Sequence, residues 1–331
     1  MATIRERIEQ AEANFLAPEA ARAAESKGRE AAEPPHPYRT GFMRDRDRIL
    51  HCKAFRRLAH KTQVFMDPQG DHYRVRLTHT LEVTQVARTI ARVLMLNEDL
   101  TEAICLGHDL GHTPFGHLGE EVLSEFLGRT FRHNEQSLRI VERLENSGRG
   151  LNLSWEVRDG ILNHTWSMPM PDSLEAQVAR YADRIAYLSH DIDDALRAGI
   201  LTLTDLPEIA TRVLGTTPSA RVDSMVGSLV EASAGAGKIG MGSEVFEALI
   251  ETREFMFDRV YNRPELAEEQ RRVSAQLREL LSYLSDHPEQ VPNEGQRGNK
   301  ADDFETRLTD YVAGMTDRFA LREHAALSDE S

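Results

Sequence analysis

LEAQVARYADRIAYLSHDIDDALRAGI, residues 174–200, carries apolar side chains at steps of three and four, the period of one face of an α-helix. The same period links Ile49, Leu50, Cys52, Phe55 and Leu58, and then Leu81, Val83, Val86, Ile90, Val93 and Leu94, so both runs are predicted helices. It recurs in MVGSLVEAS, SEVFEALIETREFMFDRVY and TRLTDYVAGMTDRFALREH. Alternating strand patterns flanked by hairpin turn residues are scarce, and there is no strand, helix, strand unit. The expected fold is all-α, a helical bundle whose elements pack pairwise. Residues 1–38 read as a short amphipathic helix followed by an Ala/Glu-rich, Pro-terminated linker or surface arm. The main helical domain is expected over 39–322, and the tail 323–331 is expected to be disordered.

Composition narrows the function classes. With 331 residues, 40% of them hydrophobic, the chain can bury a sizeable core. No apolar run approaches a membrane span, and MATIRERIEQAEANF lacks a signal peptide's apolar region, so no membrane association is expected and the cytoplasm is the default location. Cys52 and Cys105 form no CxxC pair, so a bound metal must use histidines and carboxylates. A net charge of −14 disfavours general nucleic-acid binding. Between Arg39 and Lys61, however, eight basic residues meet only Asp45 and Asp47, an island suited either to a concentrated anion such as a polyphosphate or to a solvated helix face. The Gly-rich SAGAGKIGMGS, 233–243, is not a phosphate loop: Ala232 stands where a glycine is needed and Ile239 where Ser or Thr is needed.

Two His-Asp dipeptides compete for a chemical role. His190-Asp191 lies mid-helix, where adjacent side chains diverge by about 100°. His108-Asp109, in CLGHDLGHTPFGHLGEE (105–121), closes an apolar helical run just before Gly111 and Pro114, where turning backbone lets both side chains converge on one ion. His79, upstream in a Thr-rich apolar context, and Asp183, on the inner part of the 174–200 helix among Ala182, Ile185 and Ala186, are the further ligand candidates. Two imidazoles and two carboxylates suit a divalent ion such as Mn, Mg, Fe, Co or Ni, with Zn also compatible.

The order His79, His108-Asp109, Asp183 resembles the H…HD…D pattern of HD-domain metallophosphohydrolases. DRDRILHCKAFRRLAHKTQVF, YRVRLTHTLEVTQVAR, GHDLGHTPFGHLGEE, FRHNEQSLRIVE, YADRIAYLSHDIDDA and DYVAGMTDRFA, in that order, are together similar to the deoxyguanosinetriphosphate triphosphohydrolase family over roughly 36–322. The resemblance implies an HD core at about 70–200 with additional N- and C-terminal helices. It also implies hydrolysis of a deoxynucleoside triphosphate (dNTP) to the deoxynucleoside and inorganic triphosphate, with water attacking the alpha-phosphorus. A divalent ion on His79, His108, Asp109 and Asp183 would polarise a phosphate oxygen and activate water. His112, His133 and Glu135 match the family's acid-base histidines and carboxylate. Arg76 and His117 match its phosphate contacts; Gln63, Tyr187 and Asp191 match its deoxyribose contacts. Relatives also imply a homo-oligomer and a dNTP effector, with Arg56, Arg57 and Lys61 placed at either the polyphosphate entrance or an effector site. The competing readings are an HD-superfamily phosphodiesterase or nucleotide phosphohydrolase of another substrate, and a nucleotide-regulated binding protein without turnover.

Overall fold

A computed structural model describes residues 2–62, 74–261, 263–292 and 302–329. Gln63 lies outside the described residues. The elements are α1 (Ile4–Phe15), α2 (Gly41–His51), α3 (Lys53–Arg57), α4 (Arg76–Val93), α5 (Glu98–Gly107), α6 (His117–Leu127), α7 (His133–Arg139), α8 (Trp155–Asn163), α9 (Leu174–Arg197), α10 (Pro218–Ser233), α11 (Ser243–Met256), α12 (Pro264–Asp286), α13 (Phe304–Ala313) and α14 (Asp317–Asp329). Among the described residues there is no strand, only isolated bridges at Arg29–Ser154 and Thr62–Val75. The chain is all-α, as the period predicts, and no described helix is long and apolar enough to cross a membrane.

Local signals set the ends. Thr3 and Glu6 form a reciprocal capping box on α1, Asn97 accepts from Leu100 N–H to start α5, and Ser173 accepts from Ala176 N–H to start α9. The first predicted helix is broken at Cys52, whose extended backbone ends α2 and whose Sγ accepts from Phe55 N–H to cap α3.

The 24-residue α9 is the central element, packed against α4, α5, α8, α10 and α11. Its Val178, Ala182, Ile185, Ala186 and Ile192 are all fully buried, in one apolar cluster with Val83, Ile90, Ile104 and Ile161. A second cluster joins Val122, Leu123, Leu280, Leu308 and Val312, from α6, α12 and α13. The turn between α5 and α6 runs from the first cluster to the second, and that turn carries His108, Asp109 and His112.

The N-terminal segment packs as an arm on the helical domain: Ala21 N–H donates to Glu175, Lys27 N–H to Glu156, and Arg29 pairs with the buried Asp45. One expectation is corrected. The tail is helical to Asp329 as the continuation of α14, because Ala320 and Leu327 bring apolar side chains to the second cluster.

Candidate metal and phosphohydrolase site

His79 comes from the first turn of α4, His108 caps the C-terminus of α5, and Asp183 lies midway along α9. Their polar atoms meet. His79 Nε2 is 3.1 Å from Asp183 Oδ1, His108 Nε2 is 3.7 Å from the same oxygen, and His108 Nε2 is 3.3 Å from Asp109 Oδ1. Ligands about 2.1 Å from a shared octahedral ion stand about 3 Å apart, so this spacing fits one divalent cation. His108 Nδ1 is 2.6 Å from Cys105 O and donates to it, so Nε2 is the nitrogen turned toward the two acids. That buried Nε2 has no hydrogen-bond partner, and His79, His108 and Asp109 form a metal-competent triad. Burial opposes charge on His108, but Asp109 and Asp183 outweigh it and raise the imidazole to about 9. Burial likewise opposes charge on Asp109 and Asp183, and neighbouring histidines hold both well below the usual carboxylate range. The acids and imidazoles of the centre face one another at short range, and an ion there would replace a proton on His108 as the partner of Asp109 and Asp183.

A second cluster adjoins the first. His112 Nε2 lies 3.2 Å from Asp109 Oδ1, and its ring stacks on His133 with centroids 3.9 Å apart. Glu120 gathers the histidines: one oxygen is 2.8 Å from His133 Nδ1, 3.3 Å from His112 Nδ1 and 3.5 Å from His117 Nδ1. On its other edge His133 Nε2 is 3.2 Å from Nε2 of the buried His164. His164 Nδ1 donates to Ile161 O, and burial pushes this imidazole down to about 3, so its Nε2 accepts and His133 Nε2 donates. His133 thus has a polar partner at each ring nitrogen, the Glu120 carboxylate at Nδ1 and His164 at Nε2. Burial, with Arg76 and His133 nearby, depresses His112 well below its ordinary value.

Glycines permit this crowding. A Cβ on Gly111 would sit 2.2 Å from Ser137 N and 2.3 Å from His133 O, so only glycine lets α7 approach the turn. Phe115, at φ 61°, and Gly116, at φ 60°, then reverse the chain into α6.

Not every expected residue joins. Glu135 has an exposed side chain and pairs with Arg132 at 3.1 Å, away from the histidines; Glu120 stands where a carboxylate was expected. Arg76 is buried and its Nη1 donates to Asp109 Oδ2 at 3.0 Å, so it braces that carboxylate. His117 is largely exposed at the rim. Tyr187 and Asp191 continue Asp183's face along α9, where Tyr261 OH, from a π-helical turn continuing α11, donates to Asp191 Oδ2. Burial pushes Asp191 up to about 8. Lys61 is buried and donates to two carbonyls, so it lines neither a polyphosphate entrance nor an exposed effector surface.

Residues that the sequence did not single out complete the rim. Arg184, beside Asp183, lies over the Trp166 ring at 4.8 Å, and Arg253, from α11, lies over Phe257 at 4.5 Å. Burial and the neighbouring Arg253 lower Arg184's affinity for its proton, and neither guanidinium is ion-paired among the described residues. Two close cations on aromatic faces, next to Asp183, favour a polyanion.

The HD domain model matches residues 76–188 and the phosphohydrolase-associated domain model residues 239–326. The chain is 51% identical to the deoxyguanosinetriphosphate triphosphohydrolase-like protein of Caldanaerobacter subterraneus subsp. tengcongensis, over 97% of this chain and 94% of that one. It is 46% identical to the protein of the same description from Clostridium perfringens, over 97% and 96% of the two chains. Two solved structures share the fold: a hypothetical protein from Aquifex aeolicus (TM-score 0.52, 21% identity, 84% of this chain and 67% of that one) and a phosphohydrolase from Bacteroides thetaiotaomicron (TM-score 0.51, 16% identity, 85% and 68%). Near full-length identity of this order, together with the HD-domain match spanning His79 to Asp183, means that the chain belongs to the deoxyguanosinetriphosphate triphosphohydrolase-like family of HD-domain phosphohydrolases.

Proposed function

We propose that the protein hydrolyses deoxynucleoside triphosphates, dGTP among them, to the deoxynucleoside and inorganic triphosphate. The observation that carries this reading is one continuous path along α9. Asp183 reaches His79 of the metal-competent triad, Arg184 beside it offers a cation with no ion pair among the described residues, and Tyr187 and Asp191 follow at steps of four toward Tyr261. A site for a divalent ion, one for a polyphosphate and one for a hydroxyl-bearing ring therefore follow one another along a single helix.

His79, His108, Asp109 and Asp183 would hold the ion, which when bound supplies Lewis acidity to an alpha-phosphate oxygen and to water. Arg184 and Arg253 bind the remaining phosphates, with His117 at the rim. Asp191, kept largely protonated at neutral pH, donates or accepts a hydrogen bond at a sugar hydroxyl, while the Tyr187 ring packs against the sugar. His112, beside Asp109, and His133, oriented by Glu120 and His164, are placed to handle the protons of the attacking water and the departing nucleoside oxygen. Glu120 takes the part that the family resemblance implies for Glu135. In-line attack at the alpha-phosphorus breaks the bond to the sugar-borne or the bridging oxygen, and triphosphate leaves intact only if the former breaks.

Purified protein with Mn or Mg and each dNTP, followed by anion-exchange chromatography, tests this. Triphosphate is the expected product, and pyrophosphate or orthophosphate in its place would overturn the reading. Assembly into a homo-oligomer and activation by a second dNTP belong to the same proposal. Light scattering reads the first, and faster turnover in dNTP mixtures than with single dNTPs reads the second.

A further inference from the structure

Lys61 has 2% of its surface exposed and no carboxylate within ion-pair distance among the described residues, an expensive placement for an ammonium. Its Nζ donates instead to two backbone carbonyls, His112 O and, at 2.9 Å, Ala313 O at the end of α13. Four residues beyond Ala313, Asp317 opens α14 with a buried carboxylate. One of its oxygens accepts from Thr62 N–H at 2.7 Å and from the Thr62 hydroxyl; the other accepts from Phe115 N–H at 3.0 Å. Lys61 thus holds one end of the 112–115 turn and Asp317 the other, and neighbouring residues of the same two segments supply both contacts. Phe115 needs such a hold, because a bulky L-residue at φ 61° is strained.

We infer that Lys61 and Asp317 are positioning residues for the reaction: they fix the turn that carries His112 and leads into His117, and so make the C-terminal segment 302–329 part of the site. Neither touches the metal ligands' donor atoms. They act through the backbone of His112 and Phe115, which sets where two imidazoles stand against Asp109 and Glu120. The inference rests on the reading above for its kinetic consequence, though not for its structural one.

The test uses full-length Lys61→Met, Asp317→Asn and the double variant, with kcat, KM, metal content and histidine Cε1 proton–carbon spectra of the Mg-loaded protein. Each single variant is expected to lose about 10-fold or more in kcat, as small misplacements of reacting groups do. Metal content stays at the wild-type value and KM changes less than about threefold, since a transition-state interaction is lost and uniform binding is not. The His112 and His117 resonances move while that of His79 does not. Because both residues hold one turn, the double variant loses about as much as the worse single one. Should Lys61→Met fail to fold, Thr62→Val, which keeps the shape and removes only the hydroxyl bond to Asp317, is expected to shift the same resonances in the same direction. Unmoved His112 and His117 signals, or kcat, metal content and melting temperature falling together with additive losses, would overturn the inference. If the wild-type protein releases no triphosphate, the functional reading fails, and the spectra still decide the clamp.

Discussion

Glu120 Oε1 lies 2.8 Å from His133 Nδ1, whereas Glu135, on the same helix as His133 and two residues beyond it, faces Arg132 at the surface. Burial opposes charge on Glu120, but His133 and His117 hold its carboxyl well below the usual range, so it stays a carboxylate and orients the imidazoles. Glu120→Gln keeps the shape and removes the charge. Its kcat is expected to fall about 10²-fold or more, the usual worth of an organised proton-transfer group. Glu135→Gln should stay within about twofold of wild type, as surface substitutions usually do. Steady-state rates of the two variants decide the matter, and the opposite ranking would return the role to Glu135.

The metal centre predicts a joint loss. Asp109 touches both clusters, being 3.3 Å from His108 Nε2 and 3.2 Å from His112 Nε2. Asp109→Ala and His108→Ala are therefore expected to lose bound Mn and turnover together. Wild-type protein should melt higher with added Mn, by the linkage of binding to folding, and these variants should not. Metal analysis and thermal melts on the same samples check this; a variant that turns over normally without metal would remove the assigned site.

The helices were legible because a buried face imposes its period on the sequence, and α9 shows it over 24 residues. The convergence of His108 and Asp109 was legible from a helix end followed by Gly111 and Pro114. Glu120 was not: it sits in the quoted HLGEE beside Glu121, and only the approach of α7 over Gly111 brings His133 to it. Arg253 and Tyr261 belong to a helix more than fifty residues after Asp183, so their place depends on how α11 packs on α9. Lys61 misled in the other direction. Its charge reads as phosphate-seeking, yet it ends on two carbonyls that no local pattern announces.

The guanidinium pair predicts a binding defect. Arg184 and Arg253 rest on Trp166 and Phe257 without an ion-pair partner among the described residues. Arg184→Met keeps the stem and removes the charge. Its KM for dNTP is expected to rise about 10-fold, and inhibition by free inorganic triphosphate to weaken by a similar factor, since a charge-assisted contact is worth about 1.5–3 kcal/mol. Deoxynucleoside inhibition should be unchanged. Equal weakening by nucleoside and by triphosphate would show that the helix, and not a phosphate contact, had been disturbed.

A buried carboxyl far from the chemistry predicts the pH dependence of stability. Glu175 has none of its surface exposed; one oxygen accepts from Ala21 N–H at 3.0 Å and Asn97 N–H at 2.9 Å, while the other has no partner. Burial raises it to about 7 from an ordinary 4.5, with the two N–H bonds opposing. Between those values the folded state binds more protons than the unfolded one, so stability falls as pH rises and the cost is complete above about pH 7. At about 1.4 kcal/mol per unit, the cost is on the order of 3–4 kcal/mol. Glu175→Gln retains an oxygen for both N–H donors and cannot ionise, although its buried amide brings a cost that does not vary with pH. Urea unfolding at pH 5 and pH 8 is therefore expected to show the variant gaining stability relative to wild type as pH rises, by about 1–3 kcal/mol across that interval. A difference between the two proteins that is the same at both pH values would mean that Glu175 is not the group that titrates.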